Sequence, residues 1–180
     1  AYLINSVQKE LTAGMIMRAV SENKLSLDDK VNKFYPNIPN GQNISVLNLL
    51  EMTSGLDPAG PMGDALYNND DANAQKMIQG THYNEQNFGK WDYQDLDYIL
   101  LSHILEKASG QSYETLFNDM YVYPLKLKHT DFIWADQQKL KEIDFLFNGQ
   151  NIDLNAMHGL LGAGSVAMSN DDLYKVSLDL

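Results

Sequence analysis

Apolar residues recur along the chain mainly at intervals of three and four, the spacing of a helix face. Leu11, Met15, Ile16 and Val20 mark such a face between Val7 and Asn23, which predicts an amphipathic, well-buried helix with Ser6 as its N-cap or in its first turn. Leu25, Leu27 and Val31 carry a short segment that Pro36 and Pro39 close. Ser45 precedes the apolar stretch Val46 to Met52, and Gly55 follows it, so a short helix with a serine cap and a glycine stop is expected. From Asp57 to Gly89 the chain is rich in Gly, Asn and Asp, and only Asp71 to Ile78 has weak helical spacing, so loops dominate. Leu96 to Ser109 presents Tyr98, Leu101, Leu105 and Ala108 on one face with Gly110 as its stop. Ser112 can cap a helix through Tyr121 that Pro124 ends, and Ser169, with Asp172 three residues on, opens a last one.

Strand signals are few and short, around Thr130 to Ile133 and Val166 to Ala167, with no three strong enough to form a sheet of their own. The chain therefore reads as mostly α. Its 180 residues, 44% hydrophobic and 21% charged, suit one medium domain with a real core. A formal net charge of -11 repels a nucleic-acid backbone or an anionic membrane surface, which leaves small molecules and cationic surfaces as the better partners. The absence of cysteine removes disulfides, thiolate metal sites and cysteine nucleophiles together. His82, His103 and His129 are dispersed without metal-site spacing and read as surface or helix-face residues. No apolar run approaches the roughly 18 residues that span a bilayer. Gly159, Gly162 and Gly164 do not form a phosphate loop, because no G-x-x-x-x-G-K sequence is present.

Ser6-Val7-Gln8-Lys9 is an S-x-x-K arrangement. Residues three apart on a helix share a face, so the hydroxyl and the amine can meet. A serine hydroxyl is a poor nucleophile until a base takes its proton, and a lysine on the same face can be that base. A helix N-terminus adds N–H groups that favour the alkoxide and later the oxyanion. The same spacing also fits an N-cap serine beside a solvated lysine, and the motif alone does not separate the two.

The surroundings of the motif are more specific. Ile4-Asn5-Ser6-Val7-Gln8-Lys9, a long helix, and then Asn23-Lys24-Leu25-Ser26-Leu27-Asp28-Asp29-Lys30-Val31 resemble the opening of the serine β-lactamase-related family, which includes class C β-lactamases, D-alanyl-D-alanine carboxypeptidases and related esterases. Ile44 to Leu56 is similar to the family's segment ending in a threonine-serine-glycine turn, here Thr53-Ser54-Gly55. Trp91-Asp92-Tyr93-Gln94-Asp95-Leu96 occupies the place of the second motif, tyrosine, any residue, asparagine, with Asp95 standing where asparagine is usual. The resemblance makes Tyr93 the proton-shuttling partner of Ser6 and Lys9, and places Asp95 where the substrate binds. An ionised carboxylate there only accepts hydrogen bonds and adds negative charge, so it can hold Lys9 protonated or repel an anionic substrate. The third motif, a lysine or histidine two residues before a glycine, is not in the chain. Leu161 to Leu173 is similar to the glycine-rich stretch upstream of it, which leaves the preceding His158 a structural reading.

The resemblance implies a fragment of the α+β β-lactamase/transpeptidase-like fold, a helical domain plus an incomplete antiparallel sheet domain. The nucleophile helix would cover about 6–23, the helical domain about 40–135, and the return to the sheet domain about 155–180. It implies a serine hydrolase or acyltransferase that works through a Ser6 acyl-enzyme on an amide, lactam or ester carbonyl, in a cell-wall D-alanyl peptide or a β-lactam. No metal or cofactor is needed, and an extracytoplasmic location is expected. Asp95 and the missing third motif keep two other readings open: a catalytically impaired relative that binds penicillin or peptidoglycan, and an inert truncated fragment. Loss of one oxyanion donor typically costs about 10²–10³ in rate, and a helix face left uncovered at Leu11, Met15 and Ile16 would expose apolar surface. The isolated chain is therefore expected to be essentially inactive and to self-associate, whereas a chain extended past Leu180 is acylated at Ser6. Mass spectrometry after incubation with penicillin checks this, and an adduct forming on the 180-residue chain at the extended chain's rate would show its site to be already complete.

Overall fold

The most apolar segment becomes the centre of the molecule. In a computed structural model that describes residues 1–58, 70–134, 146–147, 150–151 and 159–180, helix α4 (Leu96–Ser109) is buried at every position from Leu96 to Leu105. A helix with no solvent-facing stripe has to be enclosed by other elements. Helix α1 (Gln8–Ser21), α2 (Val46–Leu50), α3 (Asp70–Gly80) and α5 (Tyr113–Phe117) all pack against it. Gly110, in the left-handed conformation at φ 73°, ends α4 as its sequence position predicts.

Helix α1 begins one residue later than the apolar pattern suggests. Asn5–Val7 form a separate 3₁₀ turn, and Ser6 caps nothing with its side chain. Leu11, Met15 and Ile16 are buried in the main core rather than uncovered, which removes the exposed face from which self-association was expected. The sequence pattern shows that face as apolar but not that α4 already covers it. Helix α2 closes early for a local reason: Ser45 and Asn48 form a reciprocal capping box, and Met52, at φ 52°, turns the chain before Gly55 is reached.

The expectation of too few strands for a sheet is also corrected. Strands β1 (Tyr2–Leu3), β7 (Val166–Met168) and β4 (Thr130–Phe132) form an antiparallel sheet in that order, with Tyr2 and Thr130 both opposite Met168. Each contributes two or three residues from distant parts of the chain, so pairing rather than local pattern defines them. The central strand β7 is buried throughout. Two further pairs, β2 (Leu56–Asp57) with β3 (His82–Tyr83) and β5 (Leu146–Phe147) with β6 (Gln150–Asn151), lie outside it. Helix α6 (Asn170–Ser177) follows β7 and is capped by Ser169, whose Oγ accepts from the Asp172 N–H at 3.2 Å.

Between Ser112 and Pro124 the helix widens into a π turn at Asn118–Val122 while Tyr113, Phe117 and Tyr121 stay buried, with Tyr113 and Phe117 edge-on to Phe132 and Tyr121 against Phe117. His82 and His129 are exposed, His103 is buried with Nδ1 2.9 Å from Glu106 Oε2, and His158 lies outside the described residues. Among the described residues no helix is long and apolar enough to cross a membrane.

The glycine-rich stretch is clasped from two sides. Thr12 Oγ1 on α1 donates to Gly162 O at 2.6 Å, and Ser102 Oγ on α4 lies within 3.1 Å of Leu161 O. Gly162 has φ +80°, and a Cβ there would come within 2.6 Å of Ser102 Cβ and 3.0 Å of Tyr98 O. Gly162→Ala is therefore expected to destabilise the protein by about 1–3 kcal/mol. The change is read as a lower urea midpoint at unchanged m.

Candidate active site

Asn5 carries a left-handed φ of 47°, and with it the chain leaves β1 and turns into α1. Asparagine tolerates this conformation better than most residues, and such backbone strain concentrates at functional positions. The turn leaves Ser6 exposed while Gln8 and Lys9 point inward, 0% and 5% exposed.

Four oxygens surround the Lys9 ammonium. Nζ lies 3.0 Å from Ser6 Oγ, 3.1 Å from Tyr93 Oη, 2.5 Å from Asp95 Oδ1 and 3.2 Å from the Ala163 carbonyl. An ammonium has three N–H bonds, so at most three of these oxygens receive a proton at once. Tyr93 Oη donates to Ser6 Oγ at 2.6 Å, closing a triangle of Ser6, Lys9 and Tyr93. The four residues singled out in the sequence thus meet at one place, although more than eighty positions separate Tyr93 from Ser6. Asp95 is placed on Lys9 as its ion-pair partner.

The residues bracketing this centre belong to the beta-lactamase family pattern along nearly the whole chain, residues 1–179. The chain belongs to the beta-lactamase family. It is 29% identical to a Bacillus subtilis (strain 168) protein named as a penicillin-binding protein, PbpX, over 97% of this chain and 45% of that protein. It is 29% identical to the teichoic acid D-alanine hydrolase of Staphylococcus aureus, over 97% of this chain and 44% of that protein. The crystal structure of FmtA from Staphylococcus aureus superposes with a TM-score of 0.84 at 26% identity, covering 99% of this chain and 51% of that one. The chain thus spans about half the length of the relatives it matches, and its helices and small antiparallel sheet are part of the β-lactamase fold.

Several residues of this beta-lactamase-family site carry no signal in the sequence. Gln8, the second x of S-x-x-K, is fully buried, and its Oε1 accepts from the backbone N–H groups of Ser165 at 2.5 Å and Val166 at 3.0 Å. It thereby ties the nucleophile turn to the start of β7. Thr12 and Tyr113 extend the same buried network, with their hydroxyls 2.7 Å apart, and burial pushes the Tyr113 phenol up to about 12. Beside Tyr93 a cavity of about 340 Å³ is lined by Leu56, Asp57, Pro58, Asp92, Gln94 and Asp95, and the 71% exposed Trp91 has its ring 6.4 Å from that of Tyr93. A second cavity, of about 180 Å³ between Met15, Leu105 and Met120, lies at the other end of α1 and takes no part in the site. No group of three or more His, Asp or Glu among the described residues could hold a metal ion.

Beneath the Tyr93–Asp95 loop lies Asp97, with 0% exposure. Its Oδ1 accepts from Ser54 Oγ at 2.7 Å, and among the described residues its Oδ2 has no hydrogen-bond partner. Burial raises this carboxyl from 3.8 to about 8, opposed by the Ser54 hydrogen bond and reinforced by the charge on Asp92. Between 3.8 and about 8 the native state keeps a proton that the unfolded state has lost. The stability that this proton represents is complete below the unfolded value and disappears as pH rises through the folded one. Unfolding followed from pH 4 to 9 should show stability falling over that window and levelling above it. Asp97→Asn should remove this component of the slope.

Proposed function

We propose that the protein is a serine acyl-transfer enzyme in which Ser6 becomes acylated. The observation that carries this reading is the convergence of Lys9 Nζ and Tyr93 Oη on Ser6 Oγ at 3.0 and 2.6 Å. Ser6 Oγ attacks an ester, amide or lactam carbonyl carbon, and its proton passes to the Lys9–Tyr93 pair. The N–H groups of the first turn stabilise the developing oxyanion. The C–O or C–N bond then breaks as the pair returns the proton to the leaving atom. Water or an amine releases the acyl group through the same steps in reverse order. Cell-wall D-alanyl groups and β-lactams are the substrates that fit, and the hydrolase acting on teichoic acid D-alanine among the relatives supports the first. An extracytoplasmic site of action follows from such substrates.

A second reading is favoured by one observation, the ion pair between Lys9 and Asp95. Held on this carboxylate as an ammonium, Lys9 has no lone pair with which to accept the Ser6 proton. The protein would then bind penicillin-like or peptidoglycan ligands without turning them over.

Intact-mass measurement on a chain extended past Leu180, after incubation with a fluorescent penicillin, a fluorophosphonate and a D-alanyl ester, separates the two. Acyl transfer predicts an adduct that Ser6→Ala abolishes and that Lys9→Ala or Tyr93→Phe slows by about 10²–10⁴. The binding reading predicts no adduct on the wild type and its appearance in Asp95→Asn.

A further inference from the structure

Gln94 sits between Tyr93 and Asp95, and its side chain turns away from the open site into the protein. Its Nε2 donates to the Leu56 carbonyl at 2.9 Å and to Ser54 Oγ at 3.3 Å. Ser54, itself 0% exposed, also accepts from the Leu56 N–H at 3.1 Å, so its one proton is committed to Asp97 Oδ1 at 2.7 Å. The loop bearing the two site residues is therefore joined to the Thr53–Leu56 turn by the Gln94 amide, through the Leu56 carbonyl and through a hydroxyl that Asp97 orients. Two buried oxygens of this cluster, Gln94 Oε1 and Asp97 Oδ2, lack a partner among the described residues. Two bare buried acceptors are costly, and a proton on the carboxyl removes the charge from one of them.

We propose that Asp97 is a positioning residue that works as a neutral carboxylic acid, holding Ser54 and Gln94 so that Tyr93 and Asp95 meet Lys9. The inference rests on the acyl-transfer reading of Ser6, Lys9 and Tyr93. The direction of the Asp97 shift agrees with it. Asp92, on the loop before α4, is the charge that acts on Asp97, and Ser54 faces it from the turn before β2. Tyr98, its neighbour on α4, is raised by its own burial first and then by Asp97, by Glu10 of α1 and by Tyr93. No cation is paired with Asp97 among the described residues. Ionisation would thus place an uncompensated charge under the loop, and relief comes from letting water in and the loop out. A displacement of about 1 Å at Tyr93 is enough to cost about 10²-fold in rate.

The test compares, in a chain extended past Leu180, wild type, Asp97→Asn, Asp97→Ala and Ser54→Ala for the rate of Ser6 acylation by a fluorophosphonate between pH 6 and 9.5. In parallel, the fluorescence of Trp91, which stands beside Tyr93, is titrated in a Trp134→Phe background. Wild type should lose acylation, and its Trp91 signal should shift, with a midpoint near the Asp97 value of about 8. Asp97→Asn, neutral at every pH, should acylate at the wild-type neutral rate and show neither change. Asp97→Ala and Ser54→Ala should be slower by about 10-fold to 10²-fold at all pH values, with unchanged far-ultraviolet circular dichroism. The same alkaline loss and the same Trp91 titration in Asp97→Asn would overturn the proposal. If wild type is never acylated, the acyl-transfer reading falls, and the Trp91 titration still decides the placement of the loop by Asp97.

Discussion

An ammonium group that is almost wholly removed from water has to be met by oxygen from the protein, and everything at this site follows from how Lys9 is met. Its four oxygens come from the turn before α1, the loop before α4 and the glycine-rich stretch before β7. One side chain thus gathers three distant parts of the chain. An uncompensated cation at this depth would cost several kcal/mol, so the position of Lys9 and the positions of Tyr93, Asp95 and Ala163 stabilise one another. In the proposed acyl transfer, the Tyr93 hydroxyl that meets Lys9 is also the group that exchanges a proton with Ser6.

The scaffold under this cluster is built to keep it in place. Helix α4, enclosed on all sides, fixes the loop that precedes it and presents Ser102 to the glycine-rich stretch. Helix α1 fixes Lys9 by its apolar face and Gln8 by two backbone bonds to the start of β7. The buried polar groups Gln8, Thr12, Ser54, Asp97 and Ser102 each connect a loop to a helix, and Gln8 and Thr12 also join α1 to Tyr113 of α5. Buried hydrogen bonds of this kind contribute little net stability but strongly penalise misplacement, since each lost partner leaves a bare polar group. This is how a site made largely from loops is held as firmly as one made from helices.

Much of this was legible along the chain because it is local. The apolar spacing of α4 and its glycine stop, the serine caps at Ser45, Ser112 and Ser169, and the proximity of Ser6 to Lys9 all follow from residues within a turn or two of each other. Departures from the expected boundaries were local as well. Asn5 and Met52 take left-handed conformations that neither hydrophobic spacing nor a glycine announces.

What only the tertiary structure decided are the relations that no period encodes. Strands of two or three residues became a sheet because β7 found β1 and β4 across the fold. The apolar face of α1 became core because α4 covers it. Asp95 became the counter-ion of Lys9, and Asp97, two residues further on, a buried acid that meets Ser54 instead. Two residues apart in sequence, the two aspartates are turned in different directions by the start of α4. The sequence by itself determined which side chains were present and which would share a helix face, since that is a matter of spacing. Burial and partnership set what each carboxylate does, because both depend on atoms brought from more than forty residues away.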